Sequence, residues 1–361
     1  MDTTDPEIHF DDAGVCSHCH LYEEFERRHY RSDEQRAQEL AGIVARIKEE
    51  GRGREYDCVV GVSGGVDSTY TAYLVKQLGL RPLAIHLDNG WNSEQAVRNI
   101  ERTLQALKID LHTHVLDWDE FRDLQISFLR GSTPDGEIPT DHAIAALLYS
   151  EAARNGIRYI INGRNVVTEA VAPRAWAQGH GDWKYIRSVH AKFGTRKLRT
   201  YPHYGIAALG YYILVKRLSV VSILDYVTYV KADVMTLIRE KLGWEYYGGK
   251  HYESIYTRFF QGHILPTKFN IDKRKAHLST LVCSGQLTRE QAMTELAAPI
   301  YPEGLLDQDR RFVLKKLELS EAEFQKIMAL PPKSFWDYPS YKRSPIFRSK
   351  KVLDFYRRLK G

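Results

Sequence analysis

Cysteine is scarce. The chain has 361 residues and four Cys, too few for a disulfide-stapled scaffold of this size. Cys16 and Cys19 form one C-x-x-C, while Cys58 and Cys283 stand alone. That usage fits a reducing compartment. Long apolar runs are missing too. The most apolar stretch, residues 206–230, is interrupted by Lys216 and Arg217, so it predicts a buried helix or helix pair and not a membrane span. Residues 1–6 carry no basic start and no apolar run, which predicts no secretory signal and a cytoplasmic protein without membrane insertion. Excess charge of one sign is nearly absent: 51 Lys and Arg against 46 Asp and Glu leave +5. This suits a phosphate-bearing ligand but supplies no basic stripe of the kind nucleic acid needs. Repeats and low-complexity tracts are lacking.

What is present is a globular composition, 43% hydrophobic and 27% charged, enough for a sizeable core. Residues 1–22 are rich in turn formers, and residues 23–54 predict an amphipathic helix ending at Gly51 and Gly53. Then the period changes. Strands are predicted at 56–62, 82–86, 109–116 and 157–161, with helices after the first three, near 70–78, 93–107 and 141–154. Strand and helix alternating at this spacing predict an α/β fold, a doubly wound parallel sheet with helices on both faces. Beyond about residue 165 the period-2 runs fade and helical patterns take over. Three units are expected: an N-terminal Cys-containing segment with its helix (1–54), the α/β domain (55–205) and a mainly helical C-terminal lobe (206–361). Pro331 and Pro332 set off a basic tail.

The most informative motif is Ser63-Gly64-Gly65-Val66-Asp67-Ser68, which follows Val62 at the end of the first strand and opens a helix. That context gathers backbone N–H groups and the positive end of a helix at one point, which binds phosphate. Two glycines let the backbone approach an anion closely. Asp67 beside a phosphate calls for a divalent cation between them, so Mg²⁺ is expected. The loop lacks the Gly-Lys-Ser/Thr of a Walker A motif and the spacing of a dinucleotide fingerprint. A bare strand-to-helix turn would need neither the serines nor the aspartate.

SGGVDS resembles the signature of the PP-loop ATP pyrophosphatases, which cleave ATP to AMP and pyrophosphate. Longer stretches are more specific: GVCSHC near the start, HLDNGWNS at 86–93, PTDHAI at 139–144, INGRNVVTEA at 161–170, the run YGGKHYESIYTRFFQGHILPTKFNIDKRKAHLS at 247–279, and SGQLTREQAM at 284–293. These resemble the N-acetyl sugar amidotransferases of bacterial lipopolysaccharide O-antigen biosynthesis, the WbpG type. The resemblance implies a ligase-like reaction in which the acetamido group of a UDP-linked sugar is adenylated and ammonia replaces its oxygen. The chain has no glutaminase signature, so the resemblance also implies a glutaminase partner that supplies ammonia.

Read through that resemblance, Val62, Ser63, Gly64, Gly65, Val66, Asp67 and Ser68 bind the pyrophosphate part of ATP, with Asp67 on Mg²⁺. Asp88 and Gly163, at later strand ends, hold the nucleotide. Asp67, Lys250 and Glu169 are the catalytic candidates. His142, Arg164, Asn165, Asp182 and Arg258 are the candidates for the sugar. Lys250 and Arg258 would share a face, about two helical turns apart, if their segment were helical. Each has a plainer reading: Asp88 as a turn cap, Glu169 as a helix-start carboxylate, His142 as a core histidine, Arg258 as a structural ion pair. Cys16 and Cys19 supply two of the four ligands of a structural zinc. In the family a second C-x-x-C lies upstream of the stretch that here begins at Met1, and His18, His20 or Cys283 could stand in. Two rival functions are a tRNA thiolase of the same superfamily, which would need a reactive Cys near the nucleotide, and a non-catalytic nucleotide-binding scaffold.

Overall fold

The computed structural model describes residues 1–29 and 31–344; most of the basic tail beyond Pro332 therefore lies outside the described residues. The chain opens with α1 (Ser17–His29) and α2 (Asp33–Glu50). The single amphipathic helix expected over 23–54 is thus two helices. Ser32 restarts the chain as a capping box, with its hydroxyl on the Gln35 amide and the Gln35 side chain on the Ser32 amide, which satisfies two otherwise orphaned donors.

An alternating set follows: β1 (Cys58–Gly61), α3 (Val66–Gln77), β2 (Pro82–Asp88), α4 (Glu94–Leu107), β3 (Asp110–Val115), α5 (Trp118–Gly131), α6 (Ile138–Arg154) and β4 (Tyr159–Asn162). After α7 (Val166–Glu169) and α8 (Trp183–Phe193), α9 (Ile206–Gly210) runs into a π-helical turn at Tyr211–Val215, and β5 (Ser219–Ser222) returns to the sheet. The remaining helices are α10 (Lys231–Leu242), α11 (Ile255–Phe259), α12 (Leu265–Phe269), α13 (Arg274–Cys283), α14 (Arg289–Ala297), α15 (Leu305–Leu317) and α16 (Glu321–Ala329). Among the described residues, no helix is long and apolar enough to cross a membrane.

The five strands lie in the order β3-β2-β1-β4-β5, and every pair is parallel. Both faces are covered, as a parallel sheet requires. Val59, Leu83, Ile85 and Ile160 point to one side and pack with Leu124 and Phe128 of α5 and Leu147 of α6. Val60 and Ala84 point to the other and meet Ala72 of α3 and Ile100 of α4, while Cys58 and Ile161 meet Val75 of α3 and Ile47 of α2. Each fully buried Val or Ile contributes roughly 1.5–3 kcal/mol.

The stretch 206–230 corrects its expectation of a buried helix or helix pair. Arg217 takes a left-handed backbone (φ 54°), the chain turns, and Val220 and Val221 pair with Ile160 and Ile161 of β4. Two β-branched residues between serines are too short a run to separate strand from helix by period. Because β1 is flanked by β2 on one side and β4 on the other, the chain reverses its winding there. A crevice opens at the carboxyl ends of β1 and β4, where such sheets bind ligands.

Candidate active site

The loop after β1 opens a helix without a side-chain cap, and its amides meet only hydroxyls: Ser63 N–H donates to Ser68 Oγ at 3.3 Å and Gly65 N–H to Ser63 Oγ at 3.4 Å. α2, α4 and α5 start under the side chains of Ser32, Ser93 and Asp117, but α3 starts at Gly65 with no side-chain cap. Ser63 and Ser68 hydroxyls lie 3.2 Å apart, and Ser68 Oγ donates to the Gly65 carbonyl at 3.2 Å. Gly64 carries φ 78°, and a Cβ there would stand 2.4 Å from the Ala96 carbonyl oxygen. Its own carbonyl accepts from Trp244 Nε1 at 2.9 Å. Gly163, at the end of β4, passes so close that a Cβ would lie 3.0 Å from the Asp67 carbonyl. Close backbone approach from both strand ends therefore shapes the crevice.

A cavity of about 280 Å³ fills it, lined by Ser63, Gly65, Val66, Asp67 and Ser68 from the loop, by Gly163, Arg164 and Glu169 after β4, and by Lys250. Lys231, Met235, Tyr246, Tyr247, Gly249, His251 and Glu253 complete the wall. Burial raises the pKa of Asp67, partly offset by a hydrogen bond from the Tyr229 hydroxyl. Burial lowers that of Lys250, against the pull of Glu169, whose carboxylate is 3.6 Å away, and of Asp67. Lys250 Nζ also donates to His277 Nδ1 at 3.0 Å, and burial with the neighbouring cations holds His277 neutral. Burial alone would raise the Glu253 carboxyl, but hydrogen bonds from His251 and Tyr247 outweigh it and lower its pKa. Glu253 Oε2 is buried without a partner.

Several sequence candidates are used elsewhere. Asp88 accepts from the Gly90 amide at 2.8 Å and makes a turn. It is not among the residues that line the cavity. Asn165 caps α7 through Thr168, at 2.9 Å to its amide and 2.8 Å to its hydroxyl. His142 is fully buried, its Nδ1 against the His180 carbonyl at 2.7 Å and its Nε2 accepting from the Tyr204 amide. Burial lowers its pKa to about 4, so it is a neutral core residue. Asp182 caps α8 and takes the Tyr341 amide as well.

Arg258 makes a two-pronged pair with buried Asp309, at 2.6 and 2.7 Å. Lys250 sits in a turn with His251 at φ 64°, and the helix begins only at Ile255, so Lys250 and Arg258 do not share a helix face. Cys16 and Cys19 lie outside the cavity lining, on the N-terminal segment. Tyr229, Lys231 and His277 were not singled out from the sequence. They come from α10, α13 and the approach to α10, and only folding brings them to the loop.

Two family models match separate parts of the chain. The family described as queuosine biosynthesis protein QueC matches residues 57–203, and the family described as LPS biosynthesis protein WbpG-like, C-terminal domain, matches residues 253–353. An uncharacterized protein of Methanocaldococcus jannaschii, MJ1599, is 27% identical over 148 residues, 40% of this chain and 51% of that protein. The glutamine-hydrolyzing GMP synthase of Pyrobaculum aerophilum is 37% identical over 110 residues, 29% of this chain and 20% of that protein. The chain thus spans about half the length of the first relative and a fifth of the second.

Among solved structures, the NH3-dependent NAD synthetase of Campylobacter jejuni matches 72% of this chain and 96% of its own, with 14% identity and a TM-score of 0.34. The U34-tRNA thiolase NcsA of Methanococcus maripaludis, with its [4Fe-4S] cluster, matches 70% and 81% at 14% identity and a TM-score of 0.33. The QueC match over residues 57–203 and the WbpG-like match over residues 253–353 support a WbpG-type protein of the PP-loop superfamily.

Proposed function

We propose that the chain is an ATP-dependent amidotransferase acting on an acetamido group of a UDP-linked diacetamido-uronic acid in O-antigen biosynthesis. An amide carbon is a poor electrophile and its oxygen a poor leaving group. Transfer of AMP from ATP to that oxygen releases pyrophosphate and makes AMP the leaving group. Ammonia then attacks the carbon, AMP departs, and an acetamidine remains. A glutaminase partner supplies the ammonia.

The observation that carries this reading is the meeting of the uncapped start of α3 with Asp67, Lys250 and Glu169 in one cavity. The amides of the loop suit the β- and γ-phosphates, and Lys250 suits the negative charge that grows as pyrophosphate leaves. Arg164, on the rim after β4, suits the sugar's carboxylate or diphosphate. Mg²⁺ fits the residues present: Asp67 is a buried carboxyl whose pKa is raised, and Glu253, beside it at Tyr247, has an oxygen without a partner. These two carboxylates would hold the ion, which would neutralise phosphate oxygens.

Among the described residues, none of those lining the cavity is a Cys. Cys58 is fully buried in β1, and burial pushes its thiol up, which disfavours the thiolase reading.

The test is product analysis. With Mg-ATP, the acetamido sugar nucleotide and an ammonium salt, the expected products are AMP, pyrophosphate and a sugar in which one oxygen has become NH. Formation of ADP, or no turnover of ATP at all, would remove the proposal.

A further inference from the structure

The C-terminal ends of α5, α8 and α16 meet at a second cavity, of about 460 Å³. It shares no lining residue with the first. Its floor is apolar, made by Phe193, Ile327, Leu330 and Pro331. Around that floor stand Arg130, Lys192, Lys326 and Lys333. Among the described residues, none of these four cations forms an ion pair with a carboxylate. Lys192 and Lys333 are held over one ring, their Nζ atoms 5.8 and 5.7 Å from the Tyr338 centroid. The lining contains a single carboxylate, Glu323, which caps α16 by accepting from the Ser320 amide at 2.8 Å and hydroxyl at 2.6 Å. A cation at a helix C-terminus has a plainer use, since it complements the helix dipole. That use accounts for Arg130 and Lys192. It does not account for Lys326, because the Ile327 carbonyl of α16 already accepts from Lys268 Nζ. Nor does it account for Lys333, which lies outside every helix and is fixed by its amide on the Ser132 carbonyl at 2.8 Å.

We propose that this cavity binds a small organic anion, with an alkyl or aryl body on the apolar floor and a carboxylate or phosphate group among the four cations. The volume lies within the range of small-molecule sites, about 300–1,000 Å³, and the three helix ends confine it to a compact ligand. The body leaves water, and the head group relieves the repulsion between Lys192 and Lys333. A bare inorganic anion would leave the floor unused, and a neutral apolar molecule would leave the cations unanswered. The chain's own residues 345–361 carry six Lys and Arg against one Asp, so they lack the charge that the occupant needs. The proposal does not depend on the proposed reaction.

The experiment is calorimetric titration of the full chain with decanoate and with decyl phosphate, beside decanol and inorganic phosphate. One amphiphile per chain is expected, with a negative heat-capacity change from apolar burial and weaker binding in high salt. Decanol and inorganic phosphate should bind about tenfold more weakly or not at all. Whichever of the two amphiphiles binds more tightly identifies the head group. Lys333→Glu should weaken binding about tenfold or more, and Lys333→Arg should keep it. Leu330 is 37% exposed, so Leu330→Asp tests the floor without opening the core, and it too should weaken binding about tenfold or more. No binding of either amphiphile, equal binding of decanol, or undiminished binding by Lys333→Glu or by Leu330→Asp would each overturn the proposal.

Discussion

Lys250 and His277 form a hydrogen bond of 3.0 Å between a turn and the middle of α13. The imidazole is neutral and accepts, and the ammonium donates, so the histidine fixes where the positive charge points. Removing the lysine charge by Lys250→Met should lower AMP formation by about 10²–10³ or more, the usual loss for a group that stabilises developing charge. His277→Leu keeps the charge and removes its acceptor. A hydrogen bond to a charged group contributes about 1.5–3 kcal/mol, so kcat should fall roughly tenfold to a hundredfold while the KM for ATP moves less. Steady-state AMP release for the two variants checks this. An unchanged kcat in His277→Leu would refute a positioning role.

Asp67 illustrates a conflict between stability and chemistry. Burial raises its pKa in the folded chain above the usual carboxylate value. Above that folded pKa, the charged form is harder to accommodate folded than unfolded, so the group costs stability. The cost fades as pH falls toward the unfolded pKa of about 3.9. Asp67→Asn should therefore melt at a higher temperature than the parent near pH 7.5, and at the same temperature near pH 3.5. It should also lose the thermal stabilisation that Mg-ATP gives the parent. Melting curves at the two pH values, with and without Mg-ATP, decide it.

Local chemistry made the sheet and the loop legible. β1 and β4 each carry two adjacent β-branched residues and end at Gly61 and Asn162, β2 is a mostly apolar run closed by Asp88, and the Ser-Gly-Gly-Val-Asp-Ser turn announces an anion site by residue type alone. The far wall was less legible. Lys250 and Glu169 were readable through resemblance, but Tyr229, just before α10, and Lys231 and His277, within helices, are ordinary residues in ordinary surroundings. Their meaning comes from contacts across long sequence separations, such as Tyr229 with Asp67. His142 and Asp182 misled for the opposite reason. A polar residue in a suggestive motif can be consumed by a cap or a core hydrogen bond, and period and spacing carry no sign of which. The break at Arg217 and the short β5 were hidden because tertiary pairing with β4 overrides a weak local preference.

Arg258 tests whether a conspicuous cation serves the ligand or the fold. Its two hydrogen bonds to Asp309 are joined by one from the Tyr301 hydroxyl at 3.0 Å, and Asp309 is almost completely buried. Breaking a buried pair from one side leaves an uncompensated charge, at a cost of about 3–5 kcal/mol. Arg258→Ala should lose that much in urea unfolding, with its folded fraction keeping the parent's KM for the sugar nucleotide. A large rise in that KM at unchanged stability would return Arg258 to the substrate.

His180 provides the pH signature. Its Nε2 lies 3.0 Å from Asp135 and 3.3 Å from Asp141. Burial alone would lower its pKa, but the two carboxylates outweigh it and raise the value to about 9. A histidine raised above its unfolded pKa of about 6.5 stabilises the fold fully below that value and progressively less as pH rises through the folded pKa. His180→Ala should therefore melt below the parent at pH 6, and the gap should narrow steadily between pH 6.5 and 9 until little remains near pH 10. The imidazole is partly open to solvent, so the gap should also shrink in high salt. A gap that is constant across this range would mean that the ring acts through packing and not through its charge.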